Sequence, residues 1–539
     1  MGSKPTGRGE VTGVRLPCKA KRSVVATGIF VAAIVLSARP AFAAESYDNQ
    51  ISDPAQWRSL ALARAQSAAA EVEDPYRQAE VLASIARAQA TVAGPVAAEK
   101  IIRQALSVAS RIQADEFRGW VLNDIVVAQI AAEDLAGAKQ TAESINAARP
   151  QGAAYAAIAT VHVKLGNLPA AQTLALRMGD PVSRGDILRQ IVSAHCLNGD
   201  VEAARAMLPS IEDKQYSAVA FGDVAAARME NDDLPGALQI AARVRRAGRN
   251  EVYGRISLAQ AETGDFAGAL KTLQLINEPV ARALVQGRIG LQRVERDDAA
   301  GARELLAAAM AGLKQANVKP PTLKLAPAAQ LARWQVVAGD VNVARETLRS
   351  LRYEAEQLPA GPDRDGQLDY IARSQVRAGD AREALGTAKN ISDRVMRALL
   401  VRDVVSLDPG TTTASATAAA NEFSDPLVDA AAQFGVISMQ TFRGGQPPSL
   451  ETLDAARSAV RKINDRELLP AAYAALAAAR ARAGDVSGSR EIFHDALTSA
   501  EAMERSDQIA AACIRIVDAL DERLMFLGRS AVDKMDETR

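Results

Sequence analysis

Three histidines, His162, His195 and His494, and three cysteines, Cys18, Cys196 and Cys513, are what the chain offers as soft metal ligands or as the base and thiol of a nucleophilic site. A zinc protease of the HExxH type needs two His one helical turn apart, and no pair here has that spacing. After residue 43 no GxxxxGK phosphate loop, GxSxG elbow or Gly-rich dinucleotide loop occurs. His162 and His195 stand 33 residues apart with no carboxylate or thiol fixed beside them, so no metal is assigned. The reading is of a chain with no catalytic residues and no cofactor. Cys196 and Cys513 sit in apolar helical patterns and are read as free, buried thiols.

The most regular polar set is Gln129, His162, His195, Arg228, Gln260, Arg293, Gln335 and Gln375, joined later by Arg480. Each stands five residues before a turn residue: Asp134, Asn167, Asp200, Asp233, Asp265, Asp298, Asp340, Asp380 and Asp485. Such a ladder has two uses. Its side chains can donate to the unpaired carbonyls at the end of a helix. Alternatively, they form a row that meets the backbone or acidic groups of a bound chain.

The first six turn residues are 32 or 33 positions apart, which is the mark of a repeat array. Nine positions before each turn residue stands a branched aliphatic, from Ile125, Ile158 and Ile191 to Leu476. Bulky residues dominate twelve before it, as Leu122, Tyr155 and Phe221 do. That spacing puts them on one helical face. The residue before the turn residue, usually Gly, suits the left-handed conformation that ends a helix, and the Asp or Asn caps the next. Four residues past the turn the side chain is always small, from Ala138 and Ala171 to Ser489, so two helix backbones are expected to cross closely there. Eleven before the turn, Ala156, Gly222, Gly254, Gly287, Ala329 and Ala474 are expected to line a shallow groove or to form a close contact.

With its Gly-Asp-like turn, its aliphatic-small pair and its small residue on the second helix, the pattern resembles tetratricopeptide repeats, in an exported bacterial form. Gly166-Asn167-Leu-Pro-Ala-Ala171 and Gly379-Asp380-Ala-Arg-Glu-Ala384 carry it well. The resemblance covers roughly residues 75–405 and 464–503. It implies an all-α, right-handed α-solenoid of helix-turn-helix units of about 33 residues, whose concave surface binds proteins or peptides. In that family the ladder position is commonly aromatic, and here it is polar throughout.

The rhythm breaks near Lys319-Pro320-Pro321, around Pro359–Gly366 and after Asp408-Pro409-Gly410. The expected organisation is a solenoid arm at 45–408, a linker or loop at 409–423, and a C-terminal helical unit at 424–526. That unit holds one further repeat and a capping helix, with a frayed tail at 527–539.

Residues 1–43 read as a cleavable signal peptide: a basic stretch to Arg22, an apolar run Val24–Leu36, and Ala41-Phe42-Ala43. The chain has 64 residues of each charge; removing seven basic and one acidic residue of this segment leaves a mature charge of −6. That balance is a poor match for nucleic acid, and no stable membrane anchor is expected after cleavage. A periplasmic or secreted binding scaffold for protein or peptide is the leading expectation. The alternative is the solenoid arm of a cell-wall lytic enzyme, which would need a buried acid among Glu451, Glu467, Glu491, Glu501 and Glu504. Amino-terminal sequencing of exported protein should begin at Ala44; an intact segment 1–43 on protein retained in the cytosol is the contrary result.

Overall fold

A computed structural model describes residues 54–244, 248–407, 413–443 and 447–520, so the export segment and the tail at 527–539 lie outside it. Among the described residues every regular element is helical. The described residues open with α1 (Pro54–Ala70). Hairpins of a first and a second helix follow: α2 (Pro75–Ala93) with α3 (Pro95–Ala109), α4 (Asp115–Ala131) with α5 (Leu135–Glu143), and α6 (Ala148–Lys164) with α7 (Leu168–Arg177). Next come α8 (Pro181–Leu197) with α9 (Val201–Met207), α10 (Lys214–Glu230) with α11 (Leu234–Arg243), and α12 (Arg249–Glu262) with α13 (Phe266–Leu273). Then α14 (Pro279–Val294) pairs with α15 (Ala299–Gln315), α16 (Leu325–Val337) with α17 (Val341–Glu356), and α18 (Pro362–Arg377) with α19 (Ala381–Ala388). The last are α20 (Arg394–Leu407), α21 (Thr413–Asn421), α22 (Pro426–Ser438), α23 (Leu450–Val460), α24 (Leu469–Arg482), α25 (Val486–Glu501) and α26 (Ser506–Ala519). The fold is an all-α solenoid of helix-turn-helix units.

Each hairpin closes as its residues dictate. The nine residues that precede the turn residues all have left-handed backbone: six are glycine, and Glu133, Asp232 and Asp297 adopt it at φ 57–61°. The N–H of each turn residue then bonds the carbonyl five residues back, at 2.8–3.0 Å, which ends the first helix. The branched aliphatic nine before the turn and the small residue four past it are at most 1% exposed in all nine units. Ser257 shows how near the two backbones come, because its Oγ donates to the carbonyl of Ala269 across the crossing at 2.7 Å. Gly290 does the same job by subtraction: a Cβ there would sit 3.3 Å from the carbonyl of Ala302.

The small residues eleven before the turn do not line a groove. They face the first helix of the following hairpin. A Cβ on Gly222 would meet the Arg255 side chain at 2.9 Å, and one on Gly287 would meet Leu331 and Trp334 at 2.6 Å. First helices therefore pack directly on one another, α2 on α4 and onward to α20 on α22, while second helices mostly splay apart. An array that is tight along one row and loose along the other must curve toward the tight row.

The stretch expected to be a linker carries α21, which packs on α22 and buries Ala416 and Ala420. Its alanines explain the difference: low complexity here is a helical small-residue face rather than a loop. The array runs on across the junction. A Cβ on Gly435 of α22 would be 2.6 Å from the Arg402 carbonyl of α20, and Asp425 accepts from both Arg394 and Arg397 at 2.9–3.1 Å. Burial works to raise the Asp425 carboxyl; these two arginines and the Leu427 N–H outweigh it and hold the group below the usual carboxylate range.

The C-terminal helix is not a cap. A cap needs a polar outer face, whereas α26 buries Ala510, Ala512, Cys513, Ile516 and Val517 on more than one side. It packs on α24 and α2 as first helices do, and α1 lies against it in the place of a second helix. The final hairpin is thus assembled from the first and last described helices, and the described solenoid closes on itself. Trp57 of α1, 1% exposed, stacks on Phe493 of α25 with ring centroids 4.9 Å apart. Arg58 donates to the Leu520 carbonyl at 2.7 Å, and Arg77 and Arg64 reach Asp507 and Glu501 at 3.3 and 3.4 Å. Exposed ion pairs of this kind contribute little, so the buried aromatic stack and the alanine faces hold the seam.

Trp57→Ala should cost the seam about 3 kcal/mol or more. Hydrogen exchange should then rise together in α1 and α26 and stay unchanged in α12. Faster exchange in α1 alone would mean that the ends do not stabilise each other.

Candidate functional site

The polar ladder belongs to the hairpin turn. Gln129, Gln260, Gln335 and Gln375 are 1–3% exposed and present no surface to a ligand. Arg228, Arg293 and Arg480 donate to the carboxylates of their own turn residues, Asp233, Asp298 and Asp485, at 2.5–2.8 Å. Gln260 and Gln375 accept from Thr272 and Thr387 of their second helices at 2.6 and 2.7 Å. His195 Nδ1 is 3.6 Å from Asp200, and His162 is likewise only half-buried. The ladder is therefore not a continuous row facing a bound chain. Nor do its side chains cover the helix-end carbonyls. Arginines of the neighbouring hairpin do that: Arg345 donates to Ala378 and Gly379, Arg303 to Ala338, and Arg296 to Ala261.

The turn also has a sequence signal outside the ladder. Three residues past the turn, Gly137, Gly236, Gly268, Gly301 and Gly488 recur. A Cβ at any of them would fall 1.9–2.4 Å from the capping carboxylate. Where Gly stands there, its N–H donates to the cap at 2.8–2.9 Å. Ala170 and Glu383 instead give 3.3 and 3.4 Å, and the units with Ala203 and Val343 have no side-chain cap bond. Glycine makes room for the carboxylate and the ladder side chain together. The Gly236 N–H and then Arg228 hold Asp233 below the usual carboxylate range, as the Gly488 N–H and Arg480 do for Asp485.

Burial pushes both thiols, Cys196 and Cys513, up to about 12, far from the thiolate a nucleophile requires. Cys196 is half-buried rather than buried. Glu451, Glu467, Glu491, Glu501 and Glu504 are all exposed. Arg457 holds Glu491 below the usual range, opposite to the shift an acid catalyst needs. The raised carboxyl of this region is Asp429 on α22, where burial is the main cause and Lys462, 3.8 Å away, opposes it.

The candidate binding surface lies on the stripe of each first helix left over by these contacts, at fourteen, ten, seven and three residues before the turn. Those positions are mostly half-buried or exposed, and they lie one helical turn apart on the row toward which the array curves. Side chains there connect in rungs, the residue at minus seven on one helix meeting minus ten on the next. Ser193 donates to Asp223, and the Arg333 guanidinium lies 6.0 Å from the centre of the Tyr370 ring. Arg373 continues the row to Asp403 on α20, where Arg402 also bonds Asp403 at 3.0 Å; Arg402 and Asp403 are each 2% exposed. The stripe carries both signs unevenly: Asp186, Asp223 and Glu230 on α8 and α10, Glu251, Arg255 and Glu262 on α12, Arg288 and Glu295 at α14, and Arg333, Arg373 and Arg377 on α16 and α18.

No family model matches the chain, and no curated protein matches it. Among solved structures, the human IFIT1 dimer with m7Gppp-AAAA is 14% identical at a TM-score of 0.25, covering 83% of this chain and 95% of that one. Ton1535 from Thermococcus onnurineus NA1 is 14% identical at 0.25, covering 62% and 94%. A circular tandem repeat protein is 14% identical at 0.13, covering 90% and 91%. Similarity this low assigns no ligand or partner to the chain.

The caps offer a paired test. Asp265→Ala should lower the local stability of α13 by about 1 kcal/mol, read as faster hydrogen exchange. Asp340→Ala, which removes no side-chain cap bond, should change α17 by less than about 0.5 kcal/mol. Equal losses at the two sites would contradict the role given to the glycines.

Proposed function

We propose that this chain is a non-catalytic scaffold of the cell envelope, periplasmic or secreted, that holds a protein or peptide segment against the first-helix face of its closed solenoid. One observation carries the reading. The stripe at minus fourteen, ten, seven and three repeats on successive first helices, so a single partner can be held by many small contacts spread along the row. Closure strengthens it, because joined ends hold the row's curvature without any partner present and so reduce the ordering cost of binding. The basic and apolar run at 1–43 supports the location.

Photo-crosslinkers placed on the mature protein test the surface. At Thr160, Ala226 and Leu291, all half-buried on the first-helix face, they should give discrete protein adducts in envelope extracts. At Lys139 and Lys271, exposed on second helices, they should not. Adducts confined to the second-helix positions would overturn the assignment of the face, and none at any position would overturn the scaffold itself.

A further inference from the structure

Resting on that reading, we infer that the part of the face on α12, α14, α16 and α18 receives an acidic, partly apolar protein segment, with Arg288 and Arg333 taking its carboxylates. The cations on this face differ in whether the protein already neutralises them. Arg255 is paired with Glu251 at 3.1 Å. Arg373 lies 2.9 Å from Asp369 and also bonds Asp403. Arg288 is exposed and makes no hydrogen bond, ion pair or ring contact among the described residues. Arg333 has a neutral setting: Gln330 at 3.3 Å and the Tyr370 ring, with Tyr370 Oη donating to the same Gln330 oxygen. Two guanidinium groups on adjacent first helices therefore keep their donors for an outside acceptor, and the Arg333 fork is already oriented by the ring and the amide.

The surroundings choose the class of ligand. Leu284 and Leu291, both half-buried, stand one helical turn on either side of Arg288, so apolar contact accompanies the charge. Arg with Tyr beside aliphatic surface is the composition of a protein-binding patch. Packed helices lie roughly 8–10 Å apart, which an extended chain covers in about three residues, so the two carboxylates would be two or three positions apart. A long polyanion fits worse. Asp223, Glu251 and Glu262 share the face on the side of α10 and α12, and a continuous phosphate backbone would run into them, whereas a short acidic segment ends before it meets them.

The test uses the mature chain with a fluorescent 12-residue peptide that alternates Glu and Leu, its Gln-for-Glu counterpart, and a single-stranded oligonucleotide. The Glu peptide should bind, weaken with added salt, and lose about tenfold or more in affinity on combining Arg288→Glu with Arg333→Glu. Arg288→Glu alone breaks no contact within the described residues, so it should show a smaller loss with an unchanged unfolding transition. Equal binding of the Gln peptide, undiminished binding by both variants, or tighter binding of the oligonucleotide would each overturn the inference. So would no binding of the Glu peptide. Adducts at Thr160 and Ala226 would in any of those cases leave the scaffold reading standing.

Discussion

Four residues past each turn, a side chain no larger than that of alanine or serine lets two helix backbones cross with nothing between them. Every other dimension of the molecule follows from that crossing. It puts the branched aliphatic at minus nine into the angle of the hairpin, and it brings Ser257 within reach of the Ala269 carbonyl. Because interiors pack at nearly crystalline density, one extra methylene at such a point would push the helices apart, and the tilt of the whole hairpin would change with it. Repetition turns this local distance into a global shape, since a small rotation per unit accumulates along the array.

Closure is the outcome of that accumulation. A solenoid with free ends exposes an apolar helix face at each of them. Among the described residues α1 is the first helix and α26 the last, and each packs on the other as the partner of a hairpin. Trp57 and the alanines of α1 are buried by the far end of the chain, some 450 residues away. The N- and C-terminal elements are then one cooperative unit, although they are the most distant parts in sequence. In an open array the ends are the least stable units; in this one they share a core.

The same packing assigns the surfaces. Small residues at minus eleven let the first helices pack on one another from α2 to α22, and the three ladder arginines are spent on the turn carboxylates. What the packing leaves over is the stripe between these two sets, where polar side chains are linked on α8 and α10 and, among the described residues, Arg288 on α14 and Arg333 on α16 have no carboxylate partner. Charge that the fold neutralises contributes to the fold; charge left unpaired on the concave row is available to recognition.

Read alone, the chain determined the helical class, the hairpin unit, its turn chemistry and the two residues that pack each crossing, because all of these depend on side chains within about 20 positions of one another. The capping glycines were equally local and were legible in the same way. The closed seam, the place of α21 and the inward row depend on contacts between helices that no local spacing encodes. The pairing of the arginines is decided at both levels: Glu251 stands four residues before Arg255 on the same helix, where Leu284 stands before Arg288, and the fold then adds Asp223 of α10 to the first. Small residues at minus eleven were compatible with a groove or with a contact, and only the angle between successive hairpins, a sum over the whole array, chose the contact.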